Sequence, residues 1–201
     1  MILAILAIIL SIGAFVWSYL HNYVVSYNDS MSHLDMSRLV IDNIKPGFAQ
    51  LGSVWLPMNH ILSLSLIWNN WAWHSGFAGS LFSMIAYIIS VLYIYKIVKS
   101  ITDNKVAALI GSLAFALNLN ILYLQSTPLT EPLFILLFVL SAYFFVRWIA
   151  TDDSKYLFLL GITGFFEILT RYDGWFVAAV TAFLILVFQL IHHKRKLNEA
   201  V

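Results

Sequence analysis

Apolar residues dominate five stretches of the chain, 2–20, 76–98, 106–124, 132–149 and 174–191. A bilayer core needs about 20 such residues as helix, so each reads as a membrane span. A sixth stretch, 156–169, is shorter and carries Glu167. It reads as a tilted or partly broken span. The first stretch lacks a basic leader and a small-residue cleavage site, so it is read as a retained anchor. The pattern predicts an all-α polytopic membrane protein with about six transmembrane helices in one module, closed by a tail over 192–201.

Between the first two spans lies a long polar-punctuated segment, 21–75. Residues 29–42 read as a short amphipathic helix, with Asn28 or Asp29 as its N-cap and Met31, Leu34, Arg38 and Ile41 on one side. Lys45-Pro46-Gly47 ends it. Residues 54–68 read as a second helix, apolar but broken by polar residues, lying at the interface.

Composition narrows the picture. The chain is 61% hydrophobic and 10% charged, and 21 charged residues cannot clothe a water-soluble domain of this size. A net charge of +1 leaves no basic face for nucleic acid. The absence of cysteine excludes disulfides and thiolate metal sites. With six spans, Lys96, Lys99, Lys105, Arg147, Lys155, Lys194, Arg195 and Lys196 fall on one side, and Arg38, Lys45 and Arg171 on the other. The positive-inside rule then predicts a multi-pass plasma-membrane protein with both termini cytoplasmic. Asp29, Asp35, Asp42, Glu131, Glu167 and Asp173 gather toward the outer side, with Trp55, Trp68, Trp71, Trp73 and Trp175. Any chemistry is expected there.

Each outer group has a plain structural reading beside a functional one. Asp29 is an N-cap or solvated acid, or a reactive carboxylate. Asp35, Arg38 and Asp42 share a helix surface and form ion pairs of small consequence, or hold a ligand. Thr130, Glu131 and Pro132 suit the start of a helix, whereas Asn118, Asn120 and Gln125 need partners at membrane depth. Glu167 and Arg171, four apart, neutralise each other or mark a substrate path, and an arginine fork suits a phosphate. Asp152-Asp153 reads as a solvated turn, and Gly161/Gly164 as a weak packing signal. No zinc-protease, Walker A or serine-hydrolase motif occurs.

The ordered set resembles the GT-C superfamily of membrane glycosyltransferases, closest to the dolichyl-phosphate-mannose protein mannosyltransferase-like and aminoarabinose-transferase groups. The residues that carry the resemblance are Tyr27-Asn28-Asp29 running on to His33, Asp35 and Arg38, then Gln50 to His60, Leu122 to Pro132, and Thr170-Arg171-Tyr172-Asp173-Gly174-Trp175. The resemblance implies a polyprenyl-phosphate-linked sugar donor, an extracytoplasmic site, and transfer with inversion to an acceptor hydroxyl. It implies Asp29 as general base and Arg171, with Arg38 second, as the donor-phosphate ligand. His33, Asp35, His60, Gln125, Glu131 and Glu167 are then candidates for substrate binding. No cofactor and no required metal are expected. Such enzymes usually run on through further spans, so the chain is read as matching their N-terminal part. Two other classes stay open: a small transporter or flippase-like subunit that uses Glu167 and Arg171, and the non-catalytic half of a split glycosyltransferase that pairs with a second membrane chain.

Overall fold

The computed structural model describes residues 2–52 and 54–199, with side chains through Ile191. The tail's side chains, including Lys194, Arg195 and Lys196, lie outside that range. The described residues form ten α-helices and one short 3-10 turn, with no strand among them. These are α1 (Ile2–Leu20), α2 (Asn28–Leu39), α3 (Met58–Ser63), α4 (Asn70–His74), α5 (Phe77–Thr102), α6 (Lys105–Ala116), α7 (Leu119–Leu124), α8 (Glu131–Thr151), α9 (Ser154–Thr170) and α10 (Asp173–Glu199); the 3-10 turn covers Phe48–Gln50. Four stretches are long and apolar enough to cross a membrane: Ile2–Leu20, Phe77–Thr102, Glu131–Thr151 and Asp173–Ile191. This is an all-α integral membrane protein.

The expected third span, 106–124, is not one helix. It divides at Leu117 and Asn118 into α6 and α7. The Asn118 side chain accepts hydrogen bonds from the backbone N–H of Asn120 and Ile121. An asparagine that caps a new helix cannot also continue the old one. The shorter stretch expected over 156–169 is one continuous helix, α9, of 17 residues, about 25 Å at the rise of an α-helix.

The segment 21–75 also differs from its expectation. The helix expected over 54–68 is reduced to α3 and a series of turns, with α4 beginning at an Asn69 cap that accepts from Ala72 N–H. Ser63 and Ser65 hydroxyls donate back to Asn59 and Leu62 carbonyls, and Trp68 Nε1 donates to Ser65 O. These local bonds divert the backbone from a longer helix. In α2 the N-cap is Tyr27, and no side chain caps the helix. Asp29 therefore sits in the first turn without the capping bond that its position suggested.

Helix α5 is the hub, packing against α1, α3, α4, α6 and α8. Its buried face is built from small residues, among them Ala78, Gly79, Ser80, Ser83, Ala86 and Ser90, which let neighbouring backbone come close. What comes close is the segment 125–130, non-helical and wholly buried. Backbone at that depth must find partners. Ser80 Oγ donates to Ser126 O at 3.1 Å and Ser83 Oγ to Leu129 O at 3.4 Å, while Asn59 Nδ2 donates to Pro128 O. Gly79 has no Cβ because Pro128 occupies the place where one would stand. The ordered segment delivers Thr130 and Glu131 to the start of α8.

Helices α5 and α6 turn back on each other through Asp103-Asn104, and α8 and α9 through Asp152-Asp153. Asp103 and Asp152 are both left-handed, with φ of 50° and 53°. Asn104 and Asp153 then cap the next helix with their side chains. The two hairpins share one turn geometry.

Candidate active site

Helix α2 is fastened to the rest of the 21–75 segment by its polar residues. Arg38 Nη1 donates to Ile67 O at 2.9 Å, its guanidinium lies 4.7 Å from the Trp73 ring centroid, and its far side pairs with Asp42. Asp35 Oδ1 accepts from Trp73 Nε1 at 3.0 Å. Leu34 packs beneath them with Ile67, Ala72 and Ala78. So fixed, α2 presents its first turn to the N-terminal end of α8 and the C-terminal end of α9.

A cleft of about 420 Å³ opens there, a size in the range of ligand sites. One wall is Asp29 and His33 from α2; another is Leu129, Thr130 and Glu131 at the head of α8; a third is Thr170 to Asp173 between α9 and α10; and Val54, Trp55 and Leu56 close the fourth side. Arg171 spans the gap between walls. Its Nη1 donates to Glu131 Oε1 at 2.7 Å and to Thr130 Oγ1 at 3.0 Å, and its Nε donates to Asp173 Oδ2 at 2.9 Å. Asp29 is exposed, and its carboxylate makes no hydrogen bond or ion pair among the described residues. Arg171 is the one cation among the cleft's lining residues, against the carboxylates of Asp29, Glu131 and Asp173.

His33 and His60 stand behind Asp29. His33 Nδ1 lies 2.9 Å from His60 Nε2, and the Trp55 ring packs on His33 at 4.8 Å between centroids. Burial lowers the His33 pKa, aided by Arg171 and opposed by Asp29 and Glu131. Burial, with the neighbouring His33 second, holds His60 at about 4. Both rings are neutral at pH 7.

The segment 63–200 matches the family described as dolichyl-phosphate-mannose-protein mannosyltransferase, which is more than half of the chain. The chain belongs to that family. It is therefore a mannosyltransferase-like glycosyltransferase of the GT-C type, held in the membrane. No curated protein and no solved structure matches it. Within the family's span fall Gln125, Glu131, Glu167 and Arg171; Asp29, His33, Asp35, Arg38 and His60 precede it.

The structure sorts the residues singled out from sequence. It brings Asp29, His33, Glu131 and Arg171 to one cleft. His60 is fully buried behind His33. Arg38 and Asp35 lie outside the cleft, engaged with Trp73 and the 67–68 carbonyls. Gln125 is likewise elsewhere: it accepts from Ser11 Oγ at 2.6 Å and donates to Ser126 Oγ at 2.8 Å, joining α1 to the buried segment. The expected pairing of Glu167 with Arg171 does not form. Thr170 ends α9, and Arg171 is extended at φ −147° and ψ 151°, so its side chain leaves the helix toward Glu131 and Asp173. Glu167 is buried, lines a separate apolar cavity of about 340 Å³ between α9 and α10, and leaves its Oε1 without a hydrogen bond among the described residues. Sequence reasoning passed over Trp55 and Tyr172 as site residues. Tyr172 donates its hydroxyl to Val54 O at 3.1 Å, tying two cleft walls together. Both fall within stretches that carry the family resemblance, 50–60 and 170–175, and Trp55 also belongs to the tryptophan cluster read from the sequence.

Proposed function

We propose that this chain moves a sugar from a polyprenyl-phosphate donor to an acceptor hydroxyl, on the extracytoplasmic side of the membrane and with inversion at the anomeric carbon. Both termini are then cytoplasmic. The observation that carries the reading is that Asp29, a carboxylate without a partner, shares one cleft with Arg171.

In this mechanism the acceptor oxygen attacks the anomeric carbon as its proton passes to Asp29, which needs only hydrogen-bond reach. The bond from that carbon to the phosphate oxygen breaks, and the electron pair leaves with the phosphate. Developing negative charge on the leaving group calls for a fixed cation. Arg171 serves, because Glu131, Thr130 and Asp173 hold its Nη1 and Nε and leave Nη2 for the phosphate. Glu131 and His33 are placed for sugar hydroxyls. In this reading the cleft stands at headgroup level, where the phosphate of a lipid-linked sugar resides.

The test is transfer of radiolabelled mannose from polyprenyl-phosphate mannose to a hydroxyl acceptor by the full chain in lipid nanodiscs. Asp29→Asn is expected to lower the rate by 10²-fold or more while the protein still inserts and purifies. Normal transfer by Asp29→Asn would overturn the assignment of the base.

A further inference from the structure

The His33–His60 contact fixes more than a position. The two rings share one hydrogen bond, between Nδ1 of His33 and Nε2 of His60, and each neutral imidazole carries one proton. Two arrangements satisfy this. If His33 donates from Nδ1, His60 must carry its own proton on Nδ1. That atom is buried and has no hydrogen-bond partner among the described residues. An orphaned buried N–H is among the rarest defects in folded proteins. If His60 donates from Nε2 instead, its Nδ1 is a bare lone pair, and His33 carries its proton on Nε2. The second arrangement avoids the orphaned donor.

His33 lines the cleft, whereas His60 does not. With Nδ1 of His33 committed to His60, Nε2 is the nitrogen left to the cleft. We propose that His60 is a positioning residue that locks His33 as its Nε2–H tautomer, so that His33 offers the cleft a neutral hydrogen-bond donor for an oxygen of the sugar phosphate. In this form His33 has no free lone pair and cannot replace Asp29 as a base. The assignment matters for the chemistry, because Asp29, Glu131 and Asp173 are acceptors when ionised and Arg171 is largely occupied. A neutral donor binds oxygen without adding charge to a cleft already crowded with carboxylates. The identity of the ligand rests on the transferase reading; the tautomer does not.

Nitrogen-15 NMR of histidine-labelled full chain at pH 7 reads the tautomer directly and needs no substrate. Two buried rings protonated at Nε2 and bare at Nδ1 are expected, assigned by the loss of one set in His60→Gln. A His33 ring bare at Nε2, or protonated at both nitrogens, overturns the proposal. Kinetics give the second arm. His60→Leu frees the His33 proton to move, and is expected to raise the KM for polyprenyl-phosphate mannose about 10-fold with a smaller change in kcat. His60→Gln, whose amide N–H reaches toward the place of Nε2–H, is expected to recover most of that loss. Equal KM values in His60→Leu and the parent chain overturn the donor role. A chain that shows the expected tautomer and yet transfers no sugar refutes the transferase reading alone.

Discussion

Arg171 and Glu131 are forty residues apart in the chain and 2.7 Å apart in space. The pair ties the exit of α9 to the entry of α8, and its partly exposed position makes it a tether for geometry more than for stability. Such half-solvated pairs are worth up to about 1 kcal/mol. Arg171→Gln is accordingly expected to shift the melting temperature little while raising the KM for the lipid-linked donor 10-fold or more. Arg171→Lys keeps the charge and loses the fork, so it should fall between. Paired thermal-shift and initial-rate measurements on purified protein check both.

Gln125 makes the opposite kind of contribution. Its amide is fully buried, and it bonds Ser11, Ser126 and the Leu122 carbonyl. Gln125→Leu leaves the Ser11 hydroxyl and the Ser126 region short of partners, at a cost of about 1–3 kcal/mol per orphaned group. A lower melting temperature in detergent is expected, with the donor KM of the remaining folded enzyme unchanged. A sugar-binding role for Gln125 would reverse that ranking.

Gly79 sets the position of the segment that carries Glu131. A Cβ there would collide with the Pro128 ring and stand 3.0 Å from Pro128 Cα. Because one contact is backbone, the segment itself has to move. Overpacking of this kind costs about 1–3 kcal/mol. Gly79→Ala should lower both the melting temperature and the affinity for donor. Gly164→Ala is the control, since its Cβ meets nothing within 4 Å.

Stability is expected to fall in mild acid. His60 titrates at 6.5 in the unfolded chain and at about 4 in the folded one. Above pH 6.5 neither state is charged, and the contribution is complete. As the pH drops from 6.5 toward 4, the unfolded chain binds a proton that the folded chain refuses, and on the order of 3 kcal/mol is lost. His33 is lowered in the same direction, with Asp29 and Glu131 opposing and Arg171 assisting. Melting curves at pH 7 and pH 5 should separate clearly for the parent chain and less for His60→Gln.

Much of this architecture could be read from residue order because it depends on local rules. The apolar stretches became α1, α5, α8 and α10, each starting within a residue of the expected position because hydropathy marks it, while α5 runs on to Thr102 and α10 to Glu199, past the expected ends at 98 and 191 and into the segment read as a tail. Asp29 and Arg171 were both assigned to outer connections, and both line the cleft. What escaped depends on partners distant in the chain or on one residue's backbone. Gln125 points inward because Ser11, 114 residues earlier, waits for it. Arg171 misses Glu167 because its own extended backbone ends the helix that would have aligned them. The division of the third span at Asn118 needed knowledge of where a side-chain oxygen would turn. Trp55 and Val54 reach the cleft through a connection that has no periodicity to read.

The hinge economy of the bundle is uneven. Two-residue turns join α5 to α6, α8 to α9 and α9 to α10, and the aspartates at two of them are locked in a left-handed twist. The longest connection lies between α2 and α3, over 40–57, and it contributes Val54, Trp55 and Leu56 to the cleft. Three sides of the chamber are thus carried by helix ends, and one by a connecting segment. Of the four sides, that one depends most on side-chain contacts, the Tyr172 hydroxyl on Val54 O and the Trp55 ring on His33.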